Sequence, residues 1–167
     1  MYSKNRIFLF FLLAVAALTA CNETDNSTVQ WQNDNQAAYD AIKTNPDWKL
    51  LDTGDGPTGI YYRDATPPET ETGNEYPIET ALVTVNYTGK YYTEQIFDSG
   101  KKIKLTVNNT VRGFGVALQH MHIGQIWEIC IPYYLGYGIS SSYTTSIPDY
   151  STLFFEIELL EITQHPQ

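Results

Sequence analysis

Asp98 directly follows Phe97, and a carboxylate beside an apolar ring needs a physical reason. Such an Asp either serves a site or bends the chain ahead of Ser99-Gly100 by bonding its own backbone. The other residues able to do chemistry read more plainly. Cys130 lies in the apolar run Ile126-Trp127-Glu128-Ile129-Cys130-Ile131 and reads as a small buried hydrophobe on a strand, not as a nucleophile. His120 and His122 are two apart, so on a helix they share no face and do not form a metal pair. Asp52-Thr53-Gly54-Asp55-Gly56 lacks the further oxygen ligands of a calcium loop and reads as a turn. No metal site and no cofactor are expected.

The elements that hold these residues follow from periodicity. Val83, Val85 and Tyr87 alternate with Thr84 and Asn86, the mark of a strand with one buried face. Ile103, Leu105 and Val107 alternate in the same way, as do Leu153, Phe155, Ile157 and Leu159. Between them the period changes: Phe114, Ala117, Leu118 and Met121 form one stripe of a short helix, with Gly113 before it and Gly124 after it. Trp48–Leu51 and Gly59–Tyr62 read as further strands around the turn at 52–56. The predicted fold is α+β: an antiparallel sheet whose apolar face wraps around one short helix.

The chain has 167 residues, is 43% apolar and carries a net charge of −9, which suits one globular domain and offers no basic patch for nucleic acid. Lys4 and Arg6 precede an uncharged apolar stretch, Ile7–Leu18, too short to span a bilayer comfortably and suited to a secretory signal. Leu18-Thr19-Ala20-Cys21 then resembles a bacterial lipobox, which makes Cys21 the expected lipidation site. The expected organisation is a lipoprotein signal peptide at 1–20, a polar tether at 21–45 with at most a helical turn at Gln36–Lys43, and a folded domain at 46–165. Acyl chains, not charge, would hold so acidic a body at the membrane of the cell envelope.

Val85-Asn86-Tyr87-Thr88-Gly89, followed after a gap by Phe97-Asp98-Ser99, resembles the signature of the FKBP-type peptidyl-prolyl cis/trans isomerases. The resemblance continues in order through Val111-Arg112-Gly113-Phe114, Leu118–Met121, Gly124-Gln125, Ile131-Pro132, Leu135–Gly138, Ile147-Pro148 and Ser151–Leu160, covering residues 80–163. It implies a curved antiparallel sheet around one short helix, with a shallow apolar pocket between them. The implied catalytic set is Tyr87, Phe97, Asp98, Val111, Phe114, Tyr137 and Phe155, with Ile103 and Ile147 contacting substrate. The implied chemistry is rotation about X–Pro bonds, which breaks no bond and needs no cofactor. The phenylalanines would enclose the proline ring, and the Tyr137 hydroxyl and Val111 N–H would bond substrate carbonyls. The expected partners are proline-containing unfolded or exported polypeptides, met by a monomer.

The sequence departs from the family pattern in places. Phe114 stands where the best-known members carry a tryptophan floor, and Ile103 where they carry a second wall aromatic. The loop Ile139–Ser146 lacks the usual glycine and proline. These departures motivate an alternative, an FKBP-fold binding or chaperone module with little catalysis. Tyr133, Tyr134, Tyr143 and Tyr150 are expected around the pocket mouth.

Overall fold

The strongest alternating runs become the centre of the molecule. The computed structural model describes residues 20–70, 72–139 and 146–163, with side chains from residue 26 onward. In chain order the elements are α1 (Ala20–Thr44), β1 (Lys49–Asp52), β2 (Pro57–Asp64), β3 (Leu82–Lys90), β4 (Ile96–Thr106), α2 (Arg112–Leu118), β5 (Ile126–Ile131) and β6 (Leu153–Thr163). Short 3-10 turns follow β4 at Val107–Asn109 and β5 at Tyr133–Leu135. The strands form one antiparallel sheet in the order β1-β2-β5-β6-β3-β4.

One sheet face closes on α2. Val83 and Val85 of β3, Ile129 and Ile131 of β5, and Ile157 and Leu159 of β6 are essentially inaccessible, as are Leu118 and Met121 from the helix side. Each such side chain stabilises the fold by roughly 1.5–3 kcal/mol relative to exposure. Gly113, expected ahead of the helix, lies inside its first turn. A Cβ there would come within 2.4 Å of Ile131 Cγ2, so glycine lets the helix rest directly on β5. This is the antiparallel sheet around one short helix that the periodicity predicts, and it agrees with the fold that the resemblance implies.

The expected tether at 21–45 is corrected. Residues Ala20–Thr44 form a 25-residue helix, and its second half packs on the domain. Trp31, Asn35 and Tyr39, four apart, make its inward stripe. Asn35 is 1% exposed; its Oδ1 accepts from Thr152 N–H at 2.8 Å and its carbonyl from the Thr152 hydroxyl at 3.1 Å. Tyr39 donates to the Gly59 carbonyl at 2.7 Å. On the solvent side, Gln30 bonds Asp34 at 2.7 Å and Gln36 bonds Asp40 at 3.0 Å, both one turn apart. A helix touching its domain through one narrow stripe can be polar everywhere else, which is why composition alone suggests a tether. Of the expected signal peptide at 1–20, residues 1–19 lie outside the described residues, as do the Cys21 side chain and Tyr143.

Candidate active site

The β3–β4 hairpin carries the first half of the site, and a bulge sets its geometry. Gly89 pairs with both Asp98 of β4 and Phe155 of β6, whereas the next β3 residue, Lys90, pairs with Ile96. Phe97 is therefore the extra residue on β4. A bulge of this kind defeats strict alternation, so Phe97 and Asp98 both serve the concave side although they are adjacent. Gly89 makes room for this: a Cβ there would lie 2.7 Å from both Phe97 Cζ and Phe155 Cε1.

Three phenylalanines, one each from β4, α2 and β6, meet edge to face. The centroids of Phe97 and Phe155 are 5.5 Å apart at 86°, and those of Phe155 and Phe114 are 5.1 Å apart at 80°. Tyr87 closes the row against Phe114 at 6.0 Å. Phe114 and Phe155 are buried, while Phe97, Tyr87, Val111 and Tyr137 are half-buried and pack against the same core. Edge-to-face contacts suit the ring quadrupoles and leave a wall with an apolar surface.

Polar groups stand on this wall. The Tyr87 hydroxyl donates to Asp98 Oδ2 at 2.8 Å, and Asp98 Oδ1 accepts from the Ser99 N–H at 2.8 Å. One oxygen of Asp98 therefore bonds the next backbone N–H within β4, where the expected turn is absent, and the other holds a tyrosine. Burial, then donation to Asp98, pushes the Tyr87 hydroxyl up to about 12. Burial also raises the Tyr137 hydroxyl, helped by the nearby Asp98 charge. Both hydroxyls remain protonated donors at neutral pH. Val111 is the N-cap of α2, with φ −60° and ψ 144°, at a helix end where backbone N–H groups lack intrahelical partners.

The remaining expected residues differ in burial and surroundings. Ile147 is 6% exposed within the core. Ile103 sits beside Tyr87 across Gly100 but is 41% exposed, because β4 is an edge strand; its alternation does not bury it as expected. Tyr133 contacts Tyr134 at 5.5 Å and Tyr150 at 5.2 Å, so these tyrosines do cluster. His120 Nδ1 bonds the Val116 carbonyl at 2.8 Å, and His122 lies over Tyr76 at 4.0 Å. A concavity of about 530 Å³ is lined by Asn86, Tyr87, Thr88, Ser99, Gly100, Lys101, Ile126, Glu156 and Glu158. Its mixed charges make it a solvated polar groove.

Sequence reasoning missed Tyr91. It is 8% exposed and meets Phe97 at 5.0 Å. The signal was present: the inward phase of β3 at 83, 85, 87 and 89 runs on to residue 91.

Known proteins resemble this chain. Residues 73–160 match the family described as FKBP-type peptidyl-prolyl cis-trans isomerase. The chain is 43% identical over 90 residues to the FKBP-type 22 kDa peptidyl-prolyl cis-trans isomerase of Escherichia coli, covering 52% of this chain and 43% of that one. It is 34% identical over 110 residues to the outer membrane protein MIP of Legionella longbeachae, covering 64% and 45%. It thus spans less than half the length of these curated relatives. A crystal structure of a peptidyl-prolyl cis-trans isomerase from Pseudomonas syringae pv. tomato superposes with a TM-score of 0.69 at 26% identity, covering 82% of this chain and 96% of that one. With the family match spanning more than half of its residues, the chain belongs to the FKBP-type peptidyl-prolyl cis-trans isomerases.

Proposed function

We propose that this protein accelerates cis/trans isomerisation of X–Pro bonds in exported or envelope polypeptides. The observation that carries the reading is the Phe97–Phe155–Phe114 wall with the Tyr87–Asp98 pair set upon it. Amide resonance sets a barrier of about 18–20 kcal/mol, so the unaided step takes tens of seconds or longer. The twisted transition state loses conjugation, and its carbonyl is less polar than in the planar ground state. An apolar wall that strips water from that carbonyl favours the twisted form. Each lowering of about 1.4 kcal/mol is worth tenfold in rate.

In this reading Phe97, Phe114 and Phe155 receive the proline ring. Tyr137 and the Val111 N–H donate to substrate carbonyls, and Asp98 orients Tyr87 and faces the twisted amide. Ile103 and Ile147 contact flanking residues. No covalent intermediate and no cofactor enter. A protease-coupled assay on a proline peptide tests the proposal. Acceleration that falls in Asp98→Ala and Tyr137→Phe supports it, whereas a rate equal to buffer overturns it.

The second reading, a binding module with little catalysis, draws on Ile103, which lies beside Tyr87 and is 41% exposed. Capture of an unfolded client without rate enhancement would favour it.

For location, we propose an envelope protein anchored through acylated Cys21, monomeric and presenting its site to exported chains. Support comes from the Leu18–Cys21 tetrapeptide and from the outer-membrane name of the Legionella longbeachae relative. No helix among the described residues is long and apolar enough to cross a membrane. Palmitate labelling lost in Cys21→Ser would support the anchor, and labelling that persists would overturn it.

A further inference from the structure

Trp31 of α1 stands behind the wall described above. Its indole meets Tyr91 edge-on, with centroids 5.5 Å apart at 80°, and Tyr92 at 5.3 Å. The Tyr92 hydroxyl donates to Asp34 on the same helix at 3.2 Å. α1 therefore holds both tyrosines of the turn that joins β3 to β4. The turn also has internal bonds, Glu94 N–H to the Tyr91 carbonyl at 3.0 Å and Lys90 to the Glu94 carboxylate at 3.2 Å. It closes by Tyr91 N–H to the Gln95 carbonyl at 3.0 Å and places Glu94 at φ 63°, a left-handed conformation that residues other than glycine rarely take.

Tyr91 also meets Phe97 at 5.0 Å, and Phe97 meets Phe155 at 5.5 Å. Trp31, Tyr91, Phe97 and Phe155 thus form one continuous line of rings from the N-terminal helix into the site. Phe97 is the least buried of the three wall phenylalanines, so core packing fixes it least and Tyr91 supports it most. In a close-packed interior, removing one ring lets the next one shift.

We infer that Trp31 and Tyr91 are positioning residues, with Trp31 fixing Tyr91 and Tyr91 fixing the Phe97 wall. The catalytic consequence rests on the isomerase reading above. The indole nitrogen of Trp31 is buried with no hydrogen-bond partner among the described residues, so only the ring's shape is used and phenylalanine should serve nearly as well.

The test compares Trp31→Leu, Trp31→Phe and Tyr39→Phe in the full chain. Tyr39 lies on the same helix stripe but bonds Gly59 on β2, away from the ring line. Two quantities are read: kcat/KM on a proline peptide and the aromatic NMR signals of Phe97. Trp31→Leu should displace the Phe97 signals and cut kcat/KM by about tenfold, since small misplacements of a site group are costly. Trp31→Phe should restore both to within about twofold of the parent. Tyr39→Phe should lower the melting temperature and leave both readouts alone. Phe97 signals unmoved by Trp31→Leu, or moved equally by Tyr39→Phe, overturn the inference. A parent chain without isomerase activity overturns the functional reading instead, and the Phe97 signals still decide the positioning.

Discussion

Tyr87 reaches Asp98 diagonally across the β3–β4 ladder: Tyr87 pairs with Gly100 and Asp98 with Gly89, yet the Tyr87 hydroxyl donates to Asp98 Oδ2 at 2.8 Å. Diagonal neighbours on a sheet face are within reach only of long or aromatic side chains. The pair fixes a carboxylate and a phenol in one orientation at the edge of an aromatic wall.

That relationship predicts coupling between the two residues. Tyr87→Phe and Asp98→Ala should each lower kcat/KM by roughly tenfold, equivalent to about 1.4 kcal/mol. The double variant should lose much less than the product of the two, because each substitution removes the same hydrogen bond. Asp98 is exposed, so melting temperatures should barely change. A double-mutant cycle in the proline-peptide assay checks this; fully additive losses would mean that the residues act separately.

The wall phenylalanines should divide between stability and activity according to burial. Phe155 is 6% exposed inside the core, and Phe155→Ala should destabilise the fold by about 3–5 kcal/mol. Phe97 is half-buried, so Phe97→Ala should cost less stability while still abolishing most isomerase activity. Gly89→Ala drives a methyl against both rings and should cost about 1–3 kcal/mol. Urea midpoints beside kcat/KM values would separate these effects.

Much of the fold and of the site is legible in the residues alone, and the gaps have physical causes. Strict alternation marks β3 and β6 because each buries one face fully, and the helix stripe marks α2 for the same reason. Phe97-Asp98 draws notice as a charge beside a ring, but the bulge that turns both residues inward leaves no sequence mark. Ile103 alternates like a buried strand residue yet stays exposed, because periodicity does not reveal that β4 is an edge. The α1 helix escapes notice because Trp31, Asn35 and Tyr39, its main inward side chains, stand against a largely polar background. Tyr91 escapes because it lies just past the last residue of its strand.

Alkaline pH should weaken the fold through the site's own tyrosines. Burial raises the Tyr87, Tyr91 and Tyr137 hydroxyls above the ordinary 10.0, Tyr87 to about 12. The folded state therefore holds these protons more tightly than the unfolded chain does. The stability they contribute is fully present below pH 10.0 and is lost as pH rises toward about 12. Urea midpoints should hold up to the lower limit and fall beyond it, with a shallower fall in Tyr87→Phe. Equal slopes for parent and variant would exclude Tyr87 as a source.

Cys130 reports on the docking of α1. Its neighbours Ile129 and Ile131 face the core, so alternation turns Cys130 to the other side of the sheet, yet it is fully buried. Its nearness to Tyr39 identifies α1 as part of the cover. Burial pushes the thiol well above its ordinary range, which suppresses the reactive thiolate. A thiol reagent should therefore label the native protein far more slowly than the unfolded chain. Asn35→Ala strips the acceptor from the Thr152 N–H in a buried contact, a loss of about 1–3 kcal/mol borne by the docked helix. Labelling of Cys130 should then quicken by roughly tenfold or more while the rest of the fold stays closed, because opening the helix alone suffices. If labelling quickens only in step with global unfolding, α1 and the sheet open as one unit.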